Sequence, residues 1–486
     1  MQWETIPRML RERARERPDA PVTLEFGMAA LRERARTVAR ALIAQGVRAG
    51  DRVAVWGPND LSWAVHAFGV WDAGAVLVPI SARAKRLEAA ELARRTGVSM
   101  LIGEDRLPGV RPFEGVRDAL ASVAEAEARA LAVRGDDLCE IMSTSGTTGT
   151  PKGVMLDHAQ VLRGYWDWSE IVTLREGDRY PVIAPFAHGF GLNAGLLACV
   201  MRGATMMPVA AFSPDALTTL VESGGITILA GPPTLFARLL EELDRRPRDV
   251  SSLRVAICGA AAVPASLVTR LVERVGLERM INAYGLMEGT VVSMTRHDDP
   301  VEVIAGSAGR PVPGIEVKIV DAMGKEVPQG ERGEILQRGY GVMRGYWGEP
   351  DKTAEVIDAG GWLHTGDIGV LDAAGNLTIV DRKKELYIVN GFNVSPAEVE
   401  SLLLHEGSLA QAAVIGVPDD RSGEAGWAYV VPRAGAEVSE ERLRAWAKAN
   451  MADYKVPRRV FVLDELPVNA TGKLDKIALR EAARGG

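Results

Sequence analysis

The sequence predicts an α/β protein built from a large multi-layer N-terminal domain, residues 1–381, and a small α+β C-terminal domain, residues 382–486. Over the first two thirds of the chain, continuous apolar runs such as RVAVWG from Arg52 alternate with amphipathic helical patterns. That alternation is typical of buried, largely parallel sheets covered by helices. After residue 382 the pattern changes to a charged segment, a capped helix and two short strands, which indicates a separate smaller unit.

Each element of the N-terminal domain is placed by its hydrophobic period. Apolar runs predict strands at four further places: AVLVPI from Ala75, SMLIGE from Ser99, ITILAGPP from Ile226 and RVAICGAAA from Arg254. A helix is predicted where apolar residues recur at helical spacing and stop at Gly276: Leu267, Val268, Leu271, Val272 and Val275. The alanine-rich segment 119–133 predicts another helix.

The C-terminal domain opens with the signals of a helix start. Ser395 is a good N-cap, Pro396 suits the first helical position, and Glu398 would complete a capping box. The runs AAVIGV and AGWAYVV then predict two strands, and a further helix is predicted around Leu443–Ala449. These elements are enough for an α+β domain of its own.

Composition excludes several classes of function. The net charge of −7 is too acidic overall to indicate a nucleic-acid-binding protein, although it leaves local basic patches open. No run reaches the roughly 18 apolar residues of a membrane helix. Cys139, Cys199 and Cys258 are odd in number and far apart, which suits neither a disulfide framework nor a CxxC metal site. We therefore expect a cytoplasmic protein without membrane insertion, and the sequence leaves a homodimer open.

The N-terminal stretch MQWETIPRMLRERARERPDA is rich in arginine, as transit peptides are. Acidic residues interleave with the arginines at Glu4, Glu12 and Glu16, however, whereas transit peptides are poor in acids. We therefore predict a solvated helix of alternating charge at this end of the chain.

The strongest local motif is the segment STSGTTGTPKG at residues 143–153. Its glycines let backbone N–H groups approach a phosphate closely, its hydroxyls add donors, and Lys152 adds a positive charge. It is not a Walker A loop, because Pro151 precedes the lysine and Gly153 follows it. The embedded Pro-Lys-Gly makes a plain flexible surface loop the weaker interpretation.

This segment resembles the phosphate loop of the adenylate-forming enzymes, which include acyl-CoA synthetases, aryl-CoA ligases, luciferases and peptide-synthetase adenylation domains. Four more segments resemble motifs of that family in the same order: AYGLMEG at 283–289, GWLHTGD at 361–367, the hinge DRKKELYIVNGFNVSPAEVE from Asp381, and PVNATGK at 467–473. The resemblance covers nearly the whole chain. It implies the family's fold, a large N-terminal α/β domain with a mobile C-terminal domain.

The resemblance also implies nucleotide ligands at the positions that match these motifs. The residues expected to bind ATP and AMP are Thr144, Ser145, Gly146, Thr147, Thr148, Lys152, Tyr284, Met287, Asp367 and Arg382. Within that set, Asp367 would accept the ribose hydroxyls and Arg382 would reinforce the ribose. Glu288 would hold Mg²⁺, which usually takes only one or two protein carboxylates.

Catalysis in this family begins when a carboxylate attacks the α-phosphate of ATP, which brings two anions together. Their repulsion at about 4 Å is worth several kcal/mol at an effective dielectric of roughly 20, so cations are needed at the reacting centre. The resemblance gives catalytic roles to Lys473, Lys152 and Glu288 and places His188 as a gate beside the acyl pocket. Lys384 would be the hinge between domains. Gly391 would line the pantetheine tunnel for coenzyme A.

Met287 departs from the family, which nearly always has threonine at this position. The threonine hydroxyl would hydrogen-bond the α-phosphate, whereas a methionine sulfur offers no donor. Losing a hydrogen bond to a charged group costs roughly 1.5–3 kcal/mol, which is one to two decades in rate. Two interpretations stay open: weakened adenylation with thioester formation retained, or a locally compensated substitution.

The function implied is that of an ATP-dependent acid–CoA ligase, which forms an acyl-AMP and transfers the acyl group to the CoA thiol. Its cofactors and partners would be ATP, AMP, Mg²⁺, coenzyme A and a carboxylic acid or its adenylate. One alternative is a ligase that performs only the thioester step on a preformed acyl-adenylate. A stand-alone adenylation enzyme loading a carrier protein and a non-catalytic nucleotide-binding protein are weaker alternatives, since a scaffold does not need all the charged motif residues.

The acid itself is open between linear, aromatic and polycyclic classes. The segments PFAHGFGLNAG at 185–195 and GPPTLF at 231–236 resemble bacterial ligases that activate bulky polycyclic or steroid-derived acids. Small residues at Gly259–Ala262 would permit a wide acyl pocket without requiring one.

Overall fold

The structure, a computed structural model, describes most of the chain. The described residues are 3–117, 119–144, 152–209, 214–259, 263, 265–321, 323–382, 387–394, 396–433, 435–467 and 476–484. The chain divides into two compact units: Met1–Ala82 with Ala93–Met142 and Gly153–Asp381, and Arg83–Leu92 with Ser143–Lys152 and Arg382–Gly486. Each unit has its own hydrophobic core.

The first unit is built around a seven-stranded sheet, counted over the described residues. Its strands lie in the order Gly345–Tyr346, Lys152–Asp157, Leu138–Thr144, Val76–Ser81, Arg52–Gly57, Met100–Ile102 and Arg111–Pro112. The pairs made by Arg52–Gly57 are parallel on both sides. The strand Val76–Ser81 is buried along nearly its whole length, as its continuous apolar run predicts.

Further sheets follow along the same unit. One has the strand order Ile228–Gly231, Val255–Gly259, Arg279–Leu286, Thr290–Met294 and Arg310–Pro311, of which the first three are parallel. Another has the order Ile315–Val320, Gly333–Gly339, Leu363–Leu371 and Leu377–Arg382, with antiparallel pairs. Two small pairs are Pro21–Thr23 with Phe26–Gly27, and Arg179–Val182 with Thr205–Pro208.

Helices connect these strands. They are Ile6–Glu16, Met28–Ala44, Leu61–Asp72, Arg86–Thr96, Val123–Ala132, His158–Ile171, Ala198–Arg202, Pro214–Gly224, Pro233–Arg245, Ala265–Val275, Val301–Gly306 and Pro350–Val356. A π-helix, Phe190–Leu197, runs directly into Ala198–Arg202. Because π-helical segments are rare and are frequent at functional sites, this segment is an early candidate for the site.

The N-terminal helix differs from its prediction. Thr5 caps the helix Ile6–Glu16, but Ile6, Met9 and Leu10 are fully buried in the main core. The expectation of a fully solvated helix was therefore wrong for this face. The charged residues left an apolar stripe at helical spacing, and that stripe packs inward.

Two observations concern the predictions made from composition. Cys139, Cys199 and Cys258 are all buried and free. No helix in the described part of the chain is both long enough and apolar enough to span a membrane.

The second unit is an α+β domain in its described residues. Its strands lie in the order Phe392–Val394, Tyr387–Val389, Gly423–Pro432 and Leu409–Asp419, and Arg459–Val462 pairs with Gly423–Pro432. Its helical segments are Pro396–Leu404, Glu440–Asn450, the 3₁₀ turn Asp453–Lys455, and Lys476–Arg484. The two predicted strands are thus longer than their apolar runs and pair as one antiparallel hairpin.

Glu398 makes an ion pair in this domain. Ser395, the predicted N-cap, lies outside the described residues. The nearly buried Glu398 accepts a hydrogen bond from Lys455 at 2.7 Å, and Lys455 also reaches Glu88 at 2.9 Å. Burial alone would lower the pKa of Lys455, but the two carboxylates raise it above its usual value. Glu398, which the sequence suggests as part of a capping box, therefore pairs with a lysine in the interior of the domain.

A two-residue turn joins the strands Tyr387–Val389 and Phe392–Val394, since Val389 pairs with Phe392. Its residues Asn390 and Gly391 have φ angles of +51° and +81°. Positive φ at both central residues is the mark of a type I′ turn, which favours glycine at the second position. The backbone of the turn is thus a sufficient reason for glycine at 391.

A buried ion pair joins two sheets of the first unit. Asp178 precedes the strand Arg179–Val182, and Arg254 precedes Val255–Gly259. Arg254 Nε donates to Asp178 Oδ1 at 3.0 Å and Nη2 donates to Oδ2 at 2.5 Å. Thr227 adds a hydrogen bond to Oδ1 at 2.8 Å. Such a bidentate, hydrogen-bonded pair is strong where water is excluded.

We predict that Arg254→Met lowers the free energy of unfolding by about 3–5 kcal/mol, because it leaves the Asp178 carboxylate buried without its cation. Denaturant unfolding followed by fluorescence measures the loss. The control is Arg254→Met combined with Asp178→Asn, which removes both charges and should recover part of the stability. Equal losses in the single and double variants would contradict the prediction.

Candidate active site

One turn of the first unit is held by a single buried asparagine. This turn, residues 183–189, is named the histidine turn, and it lies between a strand that ends at Val182 and the π-helix that begins at Phe190. Asn59 Nδ2 donates to the carbonyls of Val182 at 3.1 Å and Ala184 at 2.8 Å. Its Oδ1 accepts from the N–H of Phe186 at 2.8 Å. Three hydrogen bonds from one side chain thus fix the turn.

His188 belongs to the histidine turn, and its side chain is exposed to solvent. Its Nδ1 accepts from the N–H of Phe190 at 3.2 Å, so the neutral ring carries its proton on Nε2. Protein atoms around the ring desolvate it and lower the pKa of His188. The neutral imidazole is therefore the form present at neutral pH.

A second turn, residues 287–289, is named the methionine turn and joins two antiparallel strands. The fully buried Gln337 donates from Nε2 to the carbonyl of Gly289 at 2.7 Å. The N–H of Met343 donates to the carbonyl of Glu288 at 2.8 Å. The backbone of this turn is therefore held by bonds from outside the motif that carries it.

The carboxylate of Glu288 has a defined partner. The hydroxyl of Tyr346, a residue only 3% exposed, donates to Glu288 Oε1 at 2.9 Å. Burial, reinforced by the carboxylate, raises the pKa of Tyr346 above its usual value. The phenol therefore stays protonated, and its hydrogen bond orients the carboxylate.

The two turns meet at Met287 and Gly189. A Cβ placed on Gly189 would lie 2.9 Å from Met287 Sδ and 3.6 Å from its Cε. The thioether therefore lies directly against the backbone of the residue that follows His188.

Two of the predicted nucleotide ligands are hydrogen-bonded to each other. The hydroxyl of Tyr284 donates to Asp367 Oδ2 at 2.6 Å. The backbone N–H of Asp367 donates to Thr365 Oγ1 at 3.1 Å, and that hydroxyl donates to the carbonyl of Ile335 at 2.8 Å. The Asp367 carboxylate is nearly buried and has a fixed direction. A carboxylate held in this way can accept hydroxyl donors from a ligand.

A fully buried acid lies against the π-helix. Glu140 Oε1 accepts from Asn193 Nδ2 at 2.8 Å. Among the described residues, neither Glu140 Oε2 nor Asn193 Oδ1 has a hydrogen-bond partner. Burial raises the pKa of Glu140 to about 7, although the bond from Asn193 opposes the shift. A proton on Glu140 would give its buried carboxyl group a donor in addition to its acceptor oxygen.

Of the remaining predicted site residues, the structure describes some and not others. Thr144 ends the strand Leu138–Thr144 and is half-buried, and Lys152 begins the strand Lys152–Asp157 and is buried. The backbone of Arg382 ends a strand, but its side chain lies outside the described part. Residues wholly outside it are Ser145, Gly146, Thr147, Thr148, Lys384 and Lys473. Their roles stay predictions.

The described residues allow a test of metal chemistry. They contain no group of three or more His, Cys, Asp or Glu that could hold a metal ion, so a metal ligated by protein alone does not suit them. Mg²⁺ differs, because it usually takes one or two carboxylates and completes its shell with water and phosphate. Glu288, oriented by Tyr346, fits that kind of site.

Several residues of the site carry no motif in the sequence. Asn59, Gln337 and Tyr346 fix the two turns, but none of them belongs to a motif. Asn59 follows Gly-Pro at the end of a buried strand, a position at which polar residues often serve function. Glu140 had the clearest signal, because a charged residue inside the apolar run LCEIM is unusual in a buried strand.

Known families match most of the chain. The profile of the family described as AMP-binding enzyme matches residues 10–347, and that of the AMP-binding enzyme C-terminal domain matches residues 398–473. The first match alone covers more than half of the sequence.

Two relatives are similar over nearly the whole length. The 3-[(3aS,4S,7aS)-7a-methyl-1,5-dioxo-octahydro-1H-inden-4-yl]propanoyl:CoA ligase of Rhodococcus jostii (strain RHA1) is 43% identical, covering 98% of each chain. The ligase of the same name from Mycobacterium tuberculosis (strain H37Rv) is 40% identical and also covers 98% of each chain. Among solved structures, o-succinylbenzoate CoA synthetase from Bacillus subtilis is 28% identical with a TM-score of 0.84, covering 97% of this chain and 98% of that one. The predicted fold class is confirmed.

We predict that Glu140→Gln changes how stability depends on pH. The folded pKa of about 7 lies above the ordinary value of 4.5 for a glutamate, so the folded protein binds the extra proton between these values. Stability contributed by the neutral acid is therefore lost as pH rises through about 7. Glutamine cannot ionise, so the variant should gain stability relative to wild type at pH 8, by up to roughly 3 kcal/mol.

Thermal unfolding at pH 5 and pH 8 measures this effect. The difference between variant and wild type is the quantity to follow, since it cancels the other groups that titrate in both proteins. A difference that is the same at the two pH values would contradict a protonated Glu140.

Proposed function

The chain belongs to the AMP-binding enzyme family and is an acid–thiol ligase of the AMP-forming acyl-CoA synthetase type, and we propose that its acid is a bulky fused-ring propanoic acid. ATP and coenzyme A are the other substrates. The observation that carries the proposal is the near full-length similarity to the Rhodococcus ligase, which is named for a methyl-dioxo-octahydroindenyl propanoyl group. The likeness of PFAHGFGLNAG to ligases of polycyclic acids supports the same class.

The chemistry proceeds in two steps on one acyl group. A carboxylate oxygen of the acid attacks the α-phosphorus of ATP, and pyrophosphate leaves with the electron pair of the broken P–O bond. The thiol sulfur of coenzyme A then attacks the acyl carbon and loses its proton, and AMP leaves with the electron pair of the broken acyl C–O bond. The first step joins two anions, so we assign the compensating cations to Lys152 and Lys473 by their motifs.

Glu288 would hold Mg²⁺, which supplies positive charge beside the phosphates when bound. Tyr346 would keep the Glu288 carboxylate in one orientation for that purpose. Asp367, oriented by Tyr284, would accept the ribose hydroxyls of the nucleotide. These assignments join motif positions to side chains whose directions are set by described hydrogen bonds.

His188 would contact the acyl end of the site. Its ring is exposed while the protein around it lowers its pKa, so it would meet the acid as a neutral donor. Ala260–Ala262, whose small side chains would widen the pocket, lie outside the described residues. Arg382, Lys384 and Gly391 keep the roles that their motifs imply, as ribose contact, hinge and tunnel residue.

A ligase restricted to the thioester step is the second candidate, and Met287 is the observation that favours it. Its side chain lies against Gly189 and has no hydroxyl to offer the α-phosphate. Such an enzyme would accept a preformed acyl-adenylate and coenzyme A and release AMP.

We predict acid-dependent exchange between ATP and labelled pyrophosphate, without coenzyme A, for the methyl-dioxo-octahydroindenyl propanoic acid. Its kcat/KM should exceed that of decanoic acid and of ferulic acid by at least about tenfold, because a pocket shaped for fused rings gains contacts that the others lack. Equal or higher values for decanoic or ferulic acid would refute the proposed substrate class. Thioester formed from a synthetic acyl-adenylate, with no exchange, would favour the second candidate.

We predict that Tyr346→Phe raises the Mg²⁺ concentration needed for half-maximal exchange by about tenfold, since residues that orient a metal ligand typically contribute that much to metal affinity. Calorimetric titration of the protein with ATP at several Mg²⁺ concentrations provides a second readout that does not depend on turnover.

The matched control is Tyr340→Phe. Tyr340 donates to the carboxylate of Asp167 at 2.9 Å, so this variant loses the same kind of hydrogen bond away from Glu288. It should leave the Mg²⁺ dependence unchanged. If Tyr346→Phe keeps the wild-type Mg²⁺ dependence in both assays, Tyr346 does not orient Glu288 for Mg²⁺.

A further inference from the structure

Gly189 lies where a larger residue would collide with Met287. A Cβ on Gly189 would be 2.9 Å from Met287 Sδ, 3.6 Å from its Cε and 3.8 Å from the hydroxyl oxygen of Tyr165. Separations below 3.0 Å are essentially never seen for real Cβ atoms, so the Met287 thioether, near the end of a flexible side chain, would have to shift to admit one. The space that a side chain at position 189 would use is therefore filled by the thioether.

The backbone gives no other reason for glycine at this position. Gly189 has φ −53° and ψ −34°, which is ordinary right-handed helical geometry open to any residue. An alanine would fit this conformation without strain. The atom that a side chain at 189 would displace first is the Met287 sulfur.

We propose that Gly189 and Met287 form a matched positioning pair, which sets how closely the histidine turn approaches the methionine turn. His188 directly precedes Gly189, and Glu288 directly follows Met287. A change in the contact therefore displaces both neighbours at once. The proposal rests on the ligase function, in which the two turns serve the acid and the nucleotide respectively.

The pair explains how methionine can occupy a position where a threonine would be expected. A threonine side chain is shorter and would not extend as far toward Gly189. The glycine would then be unnecessary, and an alanine at 189 would be tolerated. Residues in direct contact couple in this way, so their substitutions should not be additive.

A double-mutant cycle tests the pair with four proteins: wild type, Gly189→Ala, Met287→Thr and the double variant. The readout is the KM of the acid and of ATP in pyrophosphate exchange. Gly189→Ala should raise the KM of the acid at least about fivefold in the wild-type background, but less than about twofold beside Thr at 287. The KM of ATP should change less, because the added methyl lies in the histidine turn.

Gly306→Ala is the matched control, since a Cβ there would meet no heavy atom within 4 Å. Gly306→Ala should have the same effect on the KM of the acid with methionine and with threonine at 287. If Gly189→Ala changes the KM of the acid by the same factor with methionine and with threonine at 287, the proposed pair is contradicted.

The melting temperatures of the four proteins form a second cycle that needs no activity. Gly189→Ala should lower the melting temperature in the wild-type background and much less beside Thr at 287. Wild type that shows neither pyrophosphate exchange with any acid nor thioester formation from a synthetic acyl-adenylate and coenzyme A would contradict the ligase function. The melting temperatures alone would then test the proposed pair. Additive melting shifts would then reject it.

Discussion

Buried irregular backbone is the constraint on which the site depends. The histidine turn and the methionine turn lie outside regular strands and helices, yet a polar backbone group left unpaired inside a protein costs about 1–3 kcal/mol. Asn59 satisfies two such groups in the first turn and the carbonyl of Val182 just before it, and Gln337 satisfies one in the second. The positions of His188 and Glu288 are therefore set by buried side chains that lie outside the motifs.

This division decides which site residues a sequence can reveal. Glu288 and Asp367 are predicted as site residues because the chemistry limits both their type and their place in a motif, and their roles stay predictions. Asn59 and Tyr346 could not be predicted, since they lie 127 and 58 positions from their partners Phe186 and Glu288. Only the folded chain brings such pairs together, and a single asparagine or tyrosine carries no spacing to recognise.

The same reasoning applies to the fold. Strands such as Arg52–Gly57 could be predicted because burial on both faces leaves a continuous apolar run. The antiparallel strands from Ile315 to Arg382 were not predicted individually, because they are buried only in part and their patterns are mixed. Glu398 illustrates a different limit. Its spacing suits a capping box, but its ion pair with the distant Lys455 cannot be inferred from local sequence.

Met287 has both a position in a motif and a packing contact that only the folded chain shows. By its motif, it stands where the family has a threonine hydroxyl, and both weakened adenylation and a locally compensated substitution stay open as predictions. In the folded chain it is also a thioether that packs on Gly189, a residue whose backbone would accept any side chain. The absence of a methyl at 189 and the presence of sulfur at 287 are then one structural feature. It follows that restoring threonine at 287 returns the hydroxyl and opens space beside Gly189 at the same time. Its effect on adenylation therefore cannot be attributed to the hydroxyl unless position 189 is varied as well.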